Sequence, residues 1–127
     1  MKEINMYIRG ICKNTGQYQE TRIGKFVVML EYKGICKNTY GSDGNTTSNR
    51  MLLMAVIEGI KLLKEPCSIN LYTPTNLGFK SKKSPNSDLI DIIKHECDGA
   101  GHILNEIVSY EQQNKLIPML KKYKGLE

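Results

Sequence analysis

The feature that most constrains this chain is the apolar segment "MLLMAVIEGIKLL", Met51 to Leu63, which follows the polar run "SDGNTTSNR" and is stopped by Pro66. Arg50, Glu58, Lys61 and Glu65 fall on one narrow stripe at helical spacing. Met51, Leu52, Leu53, Ala55, Val56, Ile57, Ile60, Leu62 and Leu63 cover the rest of the circumference. A helix apolar over so much of its surface has to be buried, as one packed on a sheet is. Thr47 or Ser48 supplies its N-cap, because a hydroxyl there accepts from the first free backbone N–H groups. The strand "CSINLYT" arrives after this helical crossover and is expected to lie parallel to the first strand.

Upstream, "INMYIRGIC" alternates through Ile4, Met6 and Ile8 and reads as a strand ending near Gly10, with Lys13–Thr21 as a polar loop. "RIGKFVVMLEYKG" and "GICKNTYGS" form a hairpin on the Lys33-Gly34 turn signal. The hexapeptide "GICKNT" occurs at Gly10–Thr15 and again at Gly34–Thr39. One copy ends a strand and the other opens one, and nothing around them matches, so shared strand-end chemistry explains the echo. Downstream, "PTNLGFKSKKSPNS" is a basic loop, and "SDLIDIIKHEC" is an amphipathic helix capped by Ser87 and closed by "DGAG". "ILNEIVSYE" fits a strand with one slip or a continuing helix; Asp98-Gly99-Ala100-Gly101 is a poor helix interior and favours the strand. "LIPMLKKYK" is expected as a terminal helix with Pro118 in its first turn. The expectation is an α/β fold of order βββαβαβα: a mixed five-stranded sheet with helices on its faces, in a single domain over residues 1–127.

The longest apolar run, Met51–Ile57, is far short of the roughly 20 residues that span a bilayer, and "MKEINMYIRG" lacks the apolar core of a signal peptide. A cytosolic protein without membrane contact is expected. Cys12, Cys36, Cys67 and Cys97 contain no close pair, so reduced, mostly buried thiols are expected, and His95, Cys97 and His102 lack zinc-site spacing. No cofactor is implied. Eighteen Lys and Arg against thirteen Asp and Glu give a net charge of +5, which permits attraction to a polyanion without establishing it. Lys80, Lys82 and Lys83 form one cluster, and Lys121, Lys122 and Lys124 another.

The segments "MYIRGICKNTGQY" and "NTTSNRMLLMAVIEGIKLLKEPCSINLYTPTN" resemble the ribonuclease H family. That family shows Tyr-Thr-Asp-Gly-Ser-Cys on its first strand, Thr-Thr-Asn-Asn-Arg-Met-Glu-Leu-hydrophobic-Ala at its first helix, and a strand ending Tyr-Thr-Asp-Ser. The resemblance covers Asn5 to Asn76, with the remainder similar by topology, and implies the ribonuclease H-like fold. The family's chemistry uses four carboxylates that hold two Mg²⁺ ions. Here the residues matching three of them are Arg9, Leu52 and Pro74. The fourth falls either in the acid-free terminal segment or, when "AGHILNEIVS" is set beside the family's Ala-Gly-His-x-x-Asn-Glu-x-x-Asp, on Ser109.

These substitutions lead to the expectation that the chain is not an enzyme. The functional expectation is a catalytically inactive nucleic-acid-binding or accessory module that uses Arg9, Lys13, Thr47, Ser48, Asn49, Lys80, Lys82 and Lys83 on an RNA–DNA hybrid or a single strand. Thr47 to Asn49 also serve as the helix cap whatever else they do. The alternative is a protein-interaction or homodimerising module whose old site is filled by Leu52 and Pro74. A weaker alternative is residual hybrid nuclease activity from Asp43, Asp98 and Glu106.

Overall fold

Lys33 and Gly34 both take positive φ, 48° and 81°. Positive φ at both central residues is the turn geometry that joins two right-twisted strands without splaying them. In this computed structural model, which describes residues 1–14, 22–81, 84–111 and 114, the turn links β2 (Arg22–Tyr32) to β3 (Ile35–Gly44). The hairpin is paired from Tyr32↔Ile35 to Ile23↔Gly44. β1 (Lys2–Asn14) runs antiparallel to β2 and parallel to β4 (Cys67–Thr73), which in turn pairs in parallel with β5 (Ile103–Val108). The sheet order is β3-β2-β1-β4-β5, a mixed five-stranded sheet.

α1 (Ser48–Lys61) starts on Thr47, whose extended backbone carries a hydroxyl that accepts the Arg50 N–H at 3.2 Å. Its buried side chains, among them Met51, Leu53 and Val56 with no exposed surface, pack on Ile4, Met6, Ile8, Val28, Ile69 and Leu71 of the sheet. Each such aliphatic side chain contributes about 1.5–3 kcal/mol relative to an exposed one. α2 (Ser87–Ala100) adds Leu89, Ile90, Ile93 and Cys97 to the same cluster, so both described helices lie on one face of the sheet. It ends on Gly101, whose φ of 75° suits a residue without Cβ and whose N–H belongs to the helix C-cap. On the opposite face Tyr7, Val27 and Met29 form a second buried cluster with Ile11 and Tyr72 beside them. The Tyr7 and Tyr72 rings stack there with centroids 5.0 Å apart.

Residues 103–108 are a strand, and the element order agrees with expectation through β5. The expected terminal helix "LIPMLKKYK" lies outside the described residues. Three boundaries differ. β1 does not end at Gly10 but stays paired to Asn14↔Arg22. Gly10 marks a close crossing: a Cβ there would lie 2.8 Å from Met51 Cβ and 3.0 Å from the Leu52 backbone N. α1 closes at Lys61 with Leu62 as C-cap, ahead of Pro66. The N-cap of α2 is Asn86 rather than Ser87, and its side chain makes no cap bond because Asn86 Oδ1 accepts from Arg50 Nη1 at 3.3 Å. The two "GICKNT" copies pair with opposite ends of β2, Gly10 with Phe26 and Ile35 with Tyr32. No helix among the described residues is long and apolar enough to cross a membrane.

Candidate functional site at the end of the sheet

The parallel ladder between β1 and β4 runs as far as Tyr7↔Tyr72, so Arg9 and Pro74 are the next residues of the same pleat. The β4–β5 ladder reaches Thr73↔Val108, and the Ser109 N–H donates to the Thr73 carbonyl at 3.0 Å. Arg9, Pro74 and Ser109 therefore share one end of the sheet, where β4 and β5 finish and β1 runs on beside β2. Leu52 comes to the same end from α1, whose first turn crosses β1 at Gly10. All four motif-matched positions are brought together by backbone that the register fixes.

Their side chains take different directions. Leu52 is 3% exposed and belongs to the core beneath α1. Arg9, half-buried, alternates with Tyr7 and Ile11 and so lies on the opposite face of the sheet. Pro74 and Ser109 are half-buried and carry no carboxylate. The motif-matched Arg9, Leu52 and Pro74 thus share an end of the sheet, but β1 separates Arg9 from Leu52. One guanidinium, two apolar groups and one hydroxyl do not fit a pair of divalent cations. Among the described residues no three His, Cys, Asp or Glu side chains are grouped to hold an ion.

Thr47, Ser48 and Asn49 are exposed at the start of α1. Behind them Arg50, a residue the motif contains but sequence reasoning gave no role, forms a two-point ion pair with Asp88, Nη1 to Oδ1 at 3.0 Å and Nη2 to Oδ2 at 2.9 Å. Together with its bond to Asn86 this ties the first turn of α1 to the first turn of α2. The Arg50 guanidinium, through its hydrogen bonds to Asp88, holds that carboxyl down at about 2. Asp88, and beyond it Asp43, raise the pKa of Arg50. The signal in the sequence was only Arg50 at one end of an apolar helix and Asp88 at the start of another.

The basic loop is not gathered around Arg9. Lys80 lies against α2, lining hollows with Ser87 and Lys94, while Lys82 and Lys83 fall outside the described residues. Lys13 is within β1, paired with Ile23. Of the acids considered for residual hydrolysis, Asp43 bonds the neighbouring Gly44 N–H, and Glu106 Oε2 accepts the Leu77 N–H at 2.9 Å. Asp98 is at the far end of α2. They share no site.

Comparison with known proteins relates the chain to ribonuclease H. The ribonuclease H of Campylobacter jejuni is 44% identical over 81 residues, 64% of this chain and 52% of that protein. The ribonuclease H of Caldicellulosiruptor saccharolyticus is 49% identical over 74 residues, 58% of this chain and 47% of that protein. The chain thus spans about half the length of the curated relatives it matches. No protein-family model matches it. Among solved structures, ribonuclease H1 from the halophilic archaeon Halobacterium salinarum superposes with a TM-score of 0.66 at 14% identity, covering 88% of this chain and 89% of that one. LC11 ribonuclease H1 in complex with an RNA/DNA hybrid superposes with a TM-score of 0.63 at 16% identity, with the same coverage. These structures establish the α/β, ribonuclease H-like fold. The relatives bear the name of an enzyme, which overturns the expectation that the chain is not one. Four substituted positions are a narrow basis beside identity of 44–49% over 74–81 residues.

Proposed function

The chain belongs to the ribonuclease H family, and from that premise we propose that it binds an RNA–DNA hybrid at the end of the sheet where β1, β4 and α1 meet. The observation that carries this reading is the convergence of Arg9, Pro74 and Ser109 in one row beside the crossing of α1 over Gly10. It brings the exposed Thr47, Ser48 and Asn49 turn to the same end. Hydroxyl and amide groups of this kind match sugar edges and 2′-hydroxyls in the wide minor groove of an A-like duplex. Arg9, whose guanidinium presents parallel donors, matches a phosphate. The likeness to a ribonuclease H1 solved with a hybrid supports the same reading.

Fluorescence anisotropy with a short labelled hybrid tests it. Arg9→Ala and Asn49→Ala are each expected to weaken binding several-fold, with Arg9→Lys retaining part of the affinity. Wild-type affinity in both alanine variants would move the contact surface elsewhere. A second reading, hydrolysis of the bound hybrid, is favoured by the enzyme name of the curated relatives. The same mixtures sampled on a gel with Mg²⁺ or Mn²⁺ present decide it, intact RNA after long incubation counting against it.

A further inference from the structure

Away from the Arg9 end, a cavity of about 500 Å³ lies between α2 and β5, walled on its apolar side by Phe79, Ile93 and Leu104. That volume is within the range of small-molecule sites, and such sites combine apolar walls with a few convergent polar groups. His102 is one of those groups. It is 8% exposed, and its Nδ1 accepts the Cys67 N–H at 3.1 Å, which places the ring proton on Nε2. Nε2 has no protein partner among the described residues. It is also not sealed away, since the one buried side-chain atom without a partner among them is Thr46 Oγ1. Nε2–H is thus a donor with no protein acceptor, on a residue that lines the cavity.

Glu106 is the second polar group. Its Oε2 holds the Leu77 N–H at 2.9 Å, and its other oxygen is left to accept a further donor. Asp98 adds another carboxylate to the lining. Lys80 and Lys94 line both this cavity and an adjoining one of about 490 Å³, in which Ser81 and Ser87 supply hydroxyls and Asp91 a carboxylate. The complementary ligand has a flat apolar body for Phe79 and Leu104 and an edge carrying both a donor, for Glu106, and an acceptor, for His102 Nε2–H. It also has an anionic group for the two lysines. The three carboxylates disfavour a uniformly anionic surface such as a duplex backbone.

We propose that the cavity between α2 and β5 binds a single nucleotide unit, a nucleoside monophosphate, with its base between Phe79, His102 and Glu106 and its phosphate between Lys80 and Lys94. The unit is either a free nucleotide or the 5′-phosphorylated end of a single strand. The site uses no residue of the Arg9 row; Lys80 is the one residue it shares with the basic loop, and the Lys94→Ala test leaves Lys80 in place.

The test is amide chemical-shift titration of the whole protein with AMP, GMP, CMP and UMP, with adenosine and inorganic phosphate as the separated halves. At least one nucleotide is expected to shift the amides of Phe79, Lys94, His102 and Leu104. Lys94→Ala, an exposed position, is expected to weaken that nucleotide about tenfold, while adenosine binds both proteins alike. A 5′-phosphorylated tetranucleotide giving the same footprint assigns the source to a strand end, and its failure beside a binding mononucleotide assigns it to the free nucleotide; either supports the site. Unmoved amides at millimolar concentrations of all four nucleotides would overturn the proposal. So would inorganic phosphate binding as tightly as the nucleotide, or a Lys94→Ala protein of unchanged affinity.

Discussion

Leu52 is where the family motif and the packing part company. The motif has a carboxylate at this position, yet here the side chain is 3% exposed and shares the core with Met51, Leu53 and the sheet. Arg9 cannot neutralise an acid placed there, because β1 holds it on the other face. Leu52→Glu is therefore expected to cost several kcal/mol, the range for an uncompensated buried charge. Leu52→Met, which keeps the volume, is expected to cost less than about 1.5 kcal/mol. Denaturant midpoints for the two variants check this, and a Glu variant as stable as the Met variant would place the side chain in solvent. The cysteines give a second residue-scale outcome. Burial, with Glu65 adding to it, pushes the Cys67 thiol up, and burial followed by Asp98 and Glu96 does the same for Cys97. Both are also buried, whereas Cys36 is exposed on β3. Because the thiolate is the reacting species, a thiol reagent is expected to label Cys36 first and Cys67 and Cys97 last, read by peptide mass. Labelling of Cys97 at the rate of Cys36 would mean that α2 leaves the sheet readily.

The element scale turns on two joints. At Gly10 the backbone of β1 nearly touches that of α1, so Gly10→Ala forces a Cβ to within 3.0 Å of Leu52 N. Backbone cannot give way as a flexible side chain does, and the expected loss is about 1–3 kcal/mol, as in overpacked cores, together with weaker hybrid binding as the Thr47–Asn49 turn lifts. The second joint is Arg50 with Asp88, which ties α1 to α2. The Asp88 carboxyl falls from 3.8 to about 2 in the folded protein. A depressed carboxyl stabilises the fold above its unfolded value and loses that contribution as pH falls through the folded one. The stability difference between wild type and Asp88→Asn is thus expected to be constant above pH ~4 and to shrink toward pH ~2. Both side chains are partly exposed, so the difference is small, and paired acid titrations of the unfolding midpoint are needed to resolve it. A difference that does not change through this window would separate Asp88 from Arg50 in solution. What was legible in the sequence follows the same division. The Lys33-Gly34 turn, a cap at Thr47 or Ser48 and the burial of α1 are local signals; the structure agrees with the first and third and selects Thr47 for the second. The end of β1 was misplaced because a glycine required by a crossing helix resembles a glycine that ends a strand. Ser87 looks like the cap in the sequence because nothing local reveals that Arg50, 36 residues from Asn86, engages the Asn86 side chain.

For the whole molecule, the sheet end was legible because parallel crossovers bring the ends of β1, β4 and β5 to one side. The division of Arg9 from Leu52 between two faces depended on one residue of register, and the cavity beside β5 was not legible as a site although its His102 and Glu106 lie in the segment "AGHILNEIVS". Charge is the property of the whole chain that bears most on function. A net charge of +5 spread over 127 residues attracts any polyanion weakly, so affinity for a hybrid alone does not locate the site; its salt dependence does. Each phosphate neutralised at the interface releases condensed counterions, and the logarithm of affinity falls against the logarithm of salt with a slope of about −0.9 per phosphate. Arg9→Ala is expected to flatten that slope by roughly one unit, because it removes one phosphate contact. A Lys80/Lys82/Lys83→Ala triple flattens it further if the basic loop follows the strand, and leaves it alone if Lys80 is committed to the hollow beside α2. Titrations from about 50 to 200 mM salt, where the electrostatic contribution changes most visibly, measure both. A wild-type slope in the Arg9→Ala protein with weakened affinity would mean that Arg9 supports the local structure rather than touching phosphate. No binding at about 50 mM, where such attraction is strongest, would remove the hybrid from this surface.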